Sequence, residues 1–451
     1  MLRPHFYAVI LLSLLAVRPC SVLAQGTGNN GGGGNNNGGN NSGGILIDPE
    51  GVLRPMQVVP ALNAKRRPGA KDLAPGNVCV SLRRLNEILR QAPPDALPAE
   101  AHILGGLTRI DQVVVDAEAR DILLIGPGET QAAGAAPTFL GETSGRALMR
   151  TGDFLTMLDV ARGGGLRVRC SIDPDPARLK KYNETIQSTA GSVSFKNAAA
   201  WYEGLSRILG RQIVTVEGVP GDSRIGNVLA AADYSMKRIA LGLEPSGVKE
   251  IRPQLAYAAG DTGATMKRWW FAPLYEDVAV SPDRTLFQFS GQRVKLLAQE
   301  ELILDSGQRV DSDRNRPSTE AFARQFTTHF EELTAARPIF ADLRNQFDLA
   351  VTVSLLVRER LLERMDLEFR PSPAVMDTLS PKCQTPRFVD SGANIRRVNR
   401  TTIVGVVGGV VLTPSAVIAN EVPIREPGRV ADRRAPDDLA GSQFAWPLQV
   451  P

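Results

Sequence analysis

Two histidines, His102 and His329, are the residues best suited to move protons near neutrality. A third, His5, lies in an N-terminal stretch that reads as a cleaved leader. His329 sits in Thr327-Thr328-His329-Phe330-Glu331-Glu332, which reads as helix. His102 sits in Ala101-His102-Ile103, before Gly105-Gly106. The candidate nucleophile is Ser223. Gly221-Asp222-Ser223 follows an expected strand and opens an expected helix, as in esterases of the Gly-Asp-Ser type. Those enzymes also need Asp-x-x-His, but the residue three before His329 is Phe326. Gly-x-Ser-x-Gly fails as well, because Ile225 holds the last glycine position. The plainer reading is that Asp222 or Ser223 caps the helix.

Carboxylates offer two further candidates. Asp173-Pro174-Asp175-Pro176 suits acid/base work, calcium binding or, more simply, the cap of a helix that starts there. Asp311, Asp313 and Asn315 have the spacing of the first three ligands of a calcium loop. The loop's glycine is replaced by Arg316 and its closing glutamate by Phe322. A polar loop is the simpler expectation. The densest aromatic patch is Arg268-Trp269-Trp270-Phe271. In a strand, Trp269 and Phe271 share one face and Trp270 takes the other. One face would be core, and the other could stack on a sugar ring or a protein partner. Aromatic residues with arginine are the types enriched where partners bind, so these four are the expected binding residues. No Walker-type loop, Gly-x-Gly-x-x-Gly, Cys-x-x-Cys or His-Glu-x-x-His is present, and no cofactor is expected.

These residues need elements to hold them. Ser81 to Gln91 reads as a helix with Ser81 as its cap, and Gln112 to Ile125 as a hairpin. A short helix begins at Asp153 and stops at Gly163-Gly164-Gly165. A strand over Leu166 to Ile172, helices to Gln187 and over Ser194 to Leu209, a strand at Gln212 to Val216 and a long helix over Ser223 to Leu241 follow. Lys267 to Asp305 alternates like a β-meander. Helices are expected over Ser318 to Ala335 and Pro338 to Met365, then a proline-marked loop, then strands from Ile395 to Ile418. Thr401 to Ala419 has no charged residue, but its glycines, Pro414 and β-branched residues favour buried strands over a membrane span. The expected fold class is α+β. It consists of mixed short sheets and hairpins packed with amphipathic helices, with subdomains over 45–190 and 191–424.

Several of these segments occur together in a way that resembles a known family. They are Trp201-Tyr202-Glu203-Gly204-Leu205, Val219-Pro220-Gly221-Asp222-Ser223-Arg224 and Ala232-Asp233-Tyr234-Ser235-Met236-Lys237-Arg238-Ile239-Ala240-Leu241-Gly242. Arg268-Trp269-Trp270-Phe271 and Leu343-Arg344-Asn345 complete the set. The set is similar to a family of secreted proteins from planctomycete-type bacteria, known only as a domain of unknown function. The likeness runs from about Gly43 to Glu421. It implies export and a single long family domain, and it carries over no functional residue.

The ends agree with export. Arg3 precedes an apolar run from Phe6 to Val17, too short to span a bilayer, and Val22-Leu23-Ala24 presents small residues for cleavage after Ala24. Cys20 follows Val17-Arg18-Pro19, a poor lipobox. Residues 25–44 are almost wholly Gly and Asn and read as a tether, and 425–451 as a disordered tail. The chain has 52 Lys and Arg against 48 Asp and Glu. Its one basic cluster, Arg396, Arg397 and Arg400, reads as a solvated strand face, so nucleic acid is not an expected partner. Past the leader, Cys79, Cys170 and Cys383 allow one disulfide or none. The sequence therefore reads as a periplasmic or extracellular binding or scaffolding protein, with an envelope protein or glycan as partner. The rival reading is an envelope hydrolase using His329 or His102 with a carboxylate or Ser223.

Overall fold

The computed structural model describes residues 44–47, 52–56, 76–132, 139–189, 192, 197–257, 266–276, 278–312, 315–392, 405–412 and 421–423. The expected leader, the tail, the tether except Gly44, Asp313 and the basic cluster at 396–400 lie outside these residues.

The chain opens with β1 (Gly44–Ile47), β2 (Val52–Met56) and β3 (Asn77–Ser81), then α1 (Leu82–Gln91) and α2 (Ala99–His102). The expected hairpin follows as β4 (Gln112–Asp116) and β5 (Asp121–Pro127). After it come α3 (Thr151–Arg162), β6 (Val168–Pro174), α4 (Pro176–Thr189), α5 (Ala198–Leu209), β7 (Arg211–Glu217) and α6 (Arg224–Ala240). The next strands are β8 (Met266–Leu274), β9 (Val278–Val280), β10 (Leu286–Gln288), β11 (Arg293–Ile303) and β12 (Arg309–Asp311). Helices α7 (Pro317–Thr328), α8 (Phe330–Ala336), α9 (Pro338–Arg358), α10 (Leu361–Arg364) and α11 (Pro373–Leu379) precede β13 (Phe388–Asp390), β14 (Gly405–Leu412) and β15 (Glu421–Pro423).

The fold is α+β, as expected, with mostly short strands and hairpins packed with helices, and the described strands are ordered in two sheets. Nine strands run in the order β1-β2-β13-β7-β6-β14-β8-β11-β12, and six in the order β15-β9-β10-β4-β5-β3. Each sheet takes strands from both sides of residue 190. The run expected to form one meander is divided between them: β8 pairs with β11 in the large sheet, while β9 and β10 pair in the small one. Sequence alternation specifies strands but not which sheet receives them. The uncharged stretch supplies β14, paired with β6 on one side and β8 on the other.

Local chemistry sets some element ends. The Ser81 hydroxyl accepts the Arg84 amide and caps α1. Two long helices expected from periodicity are interrupted. His329, at φ −104° and ψ 23°, separates α7 from α8. Arg360, in the left-handed region at φ 52°, separates α9 from α10. The proline-marked loop holds a helix of its own, α11, because Pro373 suits a first turn and Ser372 caps it.

Helix α9 runs through the centre, and nearly every residue from Ile339 to Leu356 is buried. Its polar side chains tie the surrounding elements together. Asp342 and Asp153 of α3 both receive Arg224 of α6. Asn345 donates to the Ala147 carbonyl at 2.8 Å, and Gln346 to Asp153 at 2.7 Å. Asp348 accepts from the Tyr275 hydroxyl at 2.6 Å and the Ile110 amide at 3.0 Å, and pairs with Arg293 at 3.1 Å. Buried polar groups are tolerated when they have partners, and here partners come from α3, α6, β11, Tyr275 just after β8 and the segments before α3 and β4. Among the described residues, no helix is long and apolar enough to cross a membrane.

Candidate functional site

Strand β8 splits the aromatic patch by the alternation of its side chains. Trp269 and Phe271 are fully buried under α7, α8 and α9. The Trp269 indole donates to the Thr319 carbonyl at 3.2 Å and meets Phe322 edge-on at 5.2 Å. Phe271 packs among Phe326, Phe330 and Phe340. These two of the four expected binding residues are therefore core, and no ligand can reach them. Trp270 and Arg268 point to the opposite face.

Among the described residues, that opposite face is covered at one end. Met266 of β8 lies beneath α4 and α5, against Leu179, Tyr182, Tyr202, Leu205 and Leu209. Farther along, Trp270 is half-buried, and Arg169 and Thr215 on the same face are exposed. The Arg268 guanidinium stacks over the Trp270 ring at 5.6 Å and is steadied by Glu301 at 3.5 Å. Backbone register places Leu297 on one side of Trp270 and Gly409 on the other, then Ser171 and Thr215. The glycine places no Cβ on that side of the tryptophan, and a strand glycine often marks a place where another group can come close. The row thus presents an aromatic plane, a cation and short hydroxyls, which suits a sugar ring or a planar polar group.

The hydrolytic candidates are not brought together around Ser223. Its hydroxyl is buried, 5 % of the residue being exposed, and makes no hydrogen bond, not even the expected cap to α6. A nucleophile needs a base within reach and a path to substrate, and this hydroxyl has neither. Asp222 is exposed and pairs with Lys382 at 3.4 Å. His102, at the end of α2, has its imidazole held below the usual value by burial and then by Arg150. Its charged neighbour is a cation, where a proton shuttle needs a carboxylate. His329 does have a carboxylate, Glu332, at 2.8 Å from its Nδ1.

The remaining carboxylates are structural. Asp175 accepts the Arg178 amide at 3.0 Å and caps α4, while Asp173 pairs with Arg309 at 2.8 Å. Of the calcium-type residues, Asn315 has both ends of its amide engaged by β11: it accepts from the Glu300 amide at 2.8 Å and donates to the Ala298 carbonyl at 3.1 Å. Asp311 accepts from Gln299 at 2.6 Å. Cys79 and Cys170 are free buried thiols, so neither takes part in the one disulfide that the three cysteines allowed.

Sequence reading missed two features. A cleft of about 500 Å³ between α4 and α5 is lined by Ala177, Arg178, Lys181, Arg207 and Ile208. Arg178 and Lys181 are one helical turn apart, a visible signal, but Arg207 joins them only through the packing of α5. The second is Glu250, whose approach to His329 has no sequence signature.

The comparisons with known proteins bear on the middle of the chain. No curated protein and no solved structure matches it. The matched segment begins in β6 and runs through α4, α5, β7 and α6, so it includes the helical cover of the Trp270 face and two strands of the sheet beneath. Residues 170–253 match the family described as "Protein of unknown function (DUF1598)", and it is this family that the chain resembles.

Proposed function

We propose that the protein is an exported cell-envelope binding module without catalytic activity, which takes an envelope glycan or protein on the sheet face around Trp270. One observation carries the reading. Trp270 lies on the partly covered face beside Gly409, with Arg268 stacked on it, while the other two aromatics of the patch are spent on the core. Aromatic residues with arginine dominate binding energy at interfaces when a partner excludes water from them. The unpaired, buried Ser223 hydroxyl and the cationic neighbour of His102 weigh against the hydrolase reading.

The test uses the full chain and insoluble envelope polysaccharide prepared from bacterial cell walls, with detergent-extracted envelope protein as a parallel bait. Trp270→Ala is expected to weaken retention about tenfold or more while the circular dichroism spectrum and melting temperature hold. Retention equal to the parent's would exclude this face. Export is checked separately by the mass of the mature chain. A first residue at Gln25 supports it, and an intact Met1 on exported material counts against cleavage.

A further inference from the structure

A second cluster lies away from the Trp270 face. Glu250, His329 and Glu332 each place one donor atom so that all three lie within 4.8 Å of one another. His329 and Glu332 come from the junction of α7 and α8, where the break at His329 turns its ring beside Glu332. Glu250 comes from the loop after α6. That loop is fixed by other means. Arg337, at the end of α8, donates to the Pro245 carbonyl at 2.9 Å and pairs with Glu244. The Ser246 hydroxyl closes a turn through the Val248 amide and through the Val248 and Ile251 carbonyls. Gly247, at φ 81°, lies so close to Ala336 that an added Cβ would be 2.9 Å from the alanine's own. The three donors are thus held together by the fold.

Two glutamates this close repel unless a positive charge lies between them. Among the described residues no Arg or Lys is paired with either, while Arg and Lys pair with acids throughout the rest of the molecule. One imidazole nitrogen with two carboxylates is a donor set for zinc and its first-row neighbours. It is a poor set for calcium, which prefers oxygen ligands alone and more of them. Glu332 and Glu250 are exposed, and His329 is half-buried, so an ion can enter from solvent.

We propose that Glu250, His329 and Glu332 form a divalent metal site of the zinc class, with three protein ligands and a fourth position left for water. The bound ion cross-links the loop after α6 to the α7–α8 junction. It therefore joins the segment shared with the family to the helices that cover Trp269 and Phe271. The proposal is independent of the Trp270 reading.

The experiment is calorimetric titration of the untagged full chain, cleared of metal by chelator, with zinc chloride and, in parallel, calcium chloride. One zinc per chain is expected, with no heat from calcium. The melting temperature should rise with zinc and return on chelation, since an ion that binds only the folded state stabilises it. Glu250→Gln and His329→Ala should each weaken zinc binding about tenfold or more, as loss of a ligand costs at least what loss of its supporting partner does. Glu250→Gln is an exposed, isosteric change that leaves the fold intact, so its result stands even if His329→Ala unfolds. Absence of saturable zinc uptake would overturn the proposal. So would zinc uptake unchanged in Glu250→Gln, or calcium uptake equal to that of zinc.

Discussion

The Cys79 thiol lies in β3 against the core, and burial, with Asp121 second, pushes its pKa up to about 12. Cys170 of β6 is raised well above its ordinary value by burial and by Asp233. Thiolate is the reactive form of cysteine, so both side chains should resist alkylation. Neither is expected to react with a maleimide at pH 7.5 in the native protein, and both should react in denaturant, as read by mass. Rapid native labelling at either position would contradict their burial. That Cys79 and Cys170 need not pair was open in the sequence, and both are free. The isolation of Ser223 was not legible, because a sequence can put a serine at a helix start without revealing whether the hydroxyl faces the first turn. His329 could be seen as a helical histidine beside acids. Glu250 could not be assigned to it, since that approach depends on a loop folding back over α8.

At the scale of elements, the split of β8 was readable from alternation alone: Trp269 and Phe271 inward, Trp270 outward. What the inward face meets is a phenylalanine cluster supplied by three helices. Phe326 of α7 touches Phe271, Phe322, Phe330 and Phe340, with ring centroids 5.3 to 6.4 Å apart. Phe326→Ala should cost about 3–5 kcal/mol, measured as a shift in denaturant midpoint, and a loss below about 1 kcal/mol would mean the cluster repacks freely. The breaks at His329 and Arg360 escaped the sequence for a shared reason. Apolar periodicity continues through both, and the turn in the backbone is imposed by packing across the kink.

Across the whole molecule, α9 links both sheets through its charged and amide side chains. Asp348 is the sharpest case, because it holds Arg293 and Tyr275 from the β8–β11 region and the Ile110 amide ahead of the small sheet. Asp348→Ala strands a buried guanidinium with only Asp111 as its acidic partner. It should destabilise by about 3–5 kcal/mol, with loss of a single cooperative melting transition as its signature. Two unchanged, independent transitions in the parent protein would argue that the sheets unfold separately. Strand content, helix content and the α+β class followed from local pattern. The pairing order did not, because β14 and β13 return from the far end of the chain to places no local signal specifies.

The position of β14 bears on how the protein is made. Its partners β6 and β8 are synthesised long before it, yet both keep an unmatched edge at the middle of the large sheet until Leu412 has emerged. A growing chain therefore cannot complete this sheet as it leaves the ribosome, and every intermediate carries two strand edges open to foreign strands. Fragments ending before Gly405 are expected to aggregate under conditions where the full chain does not.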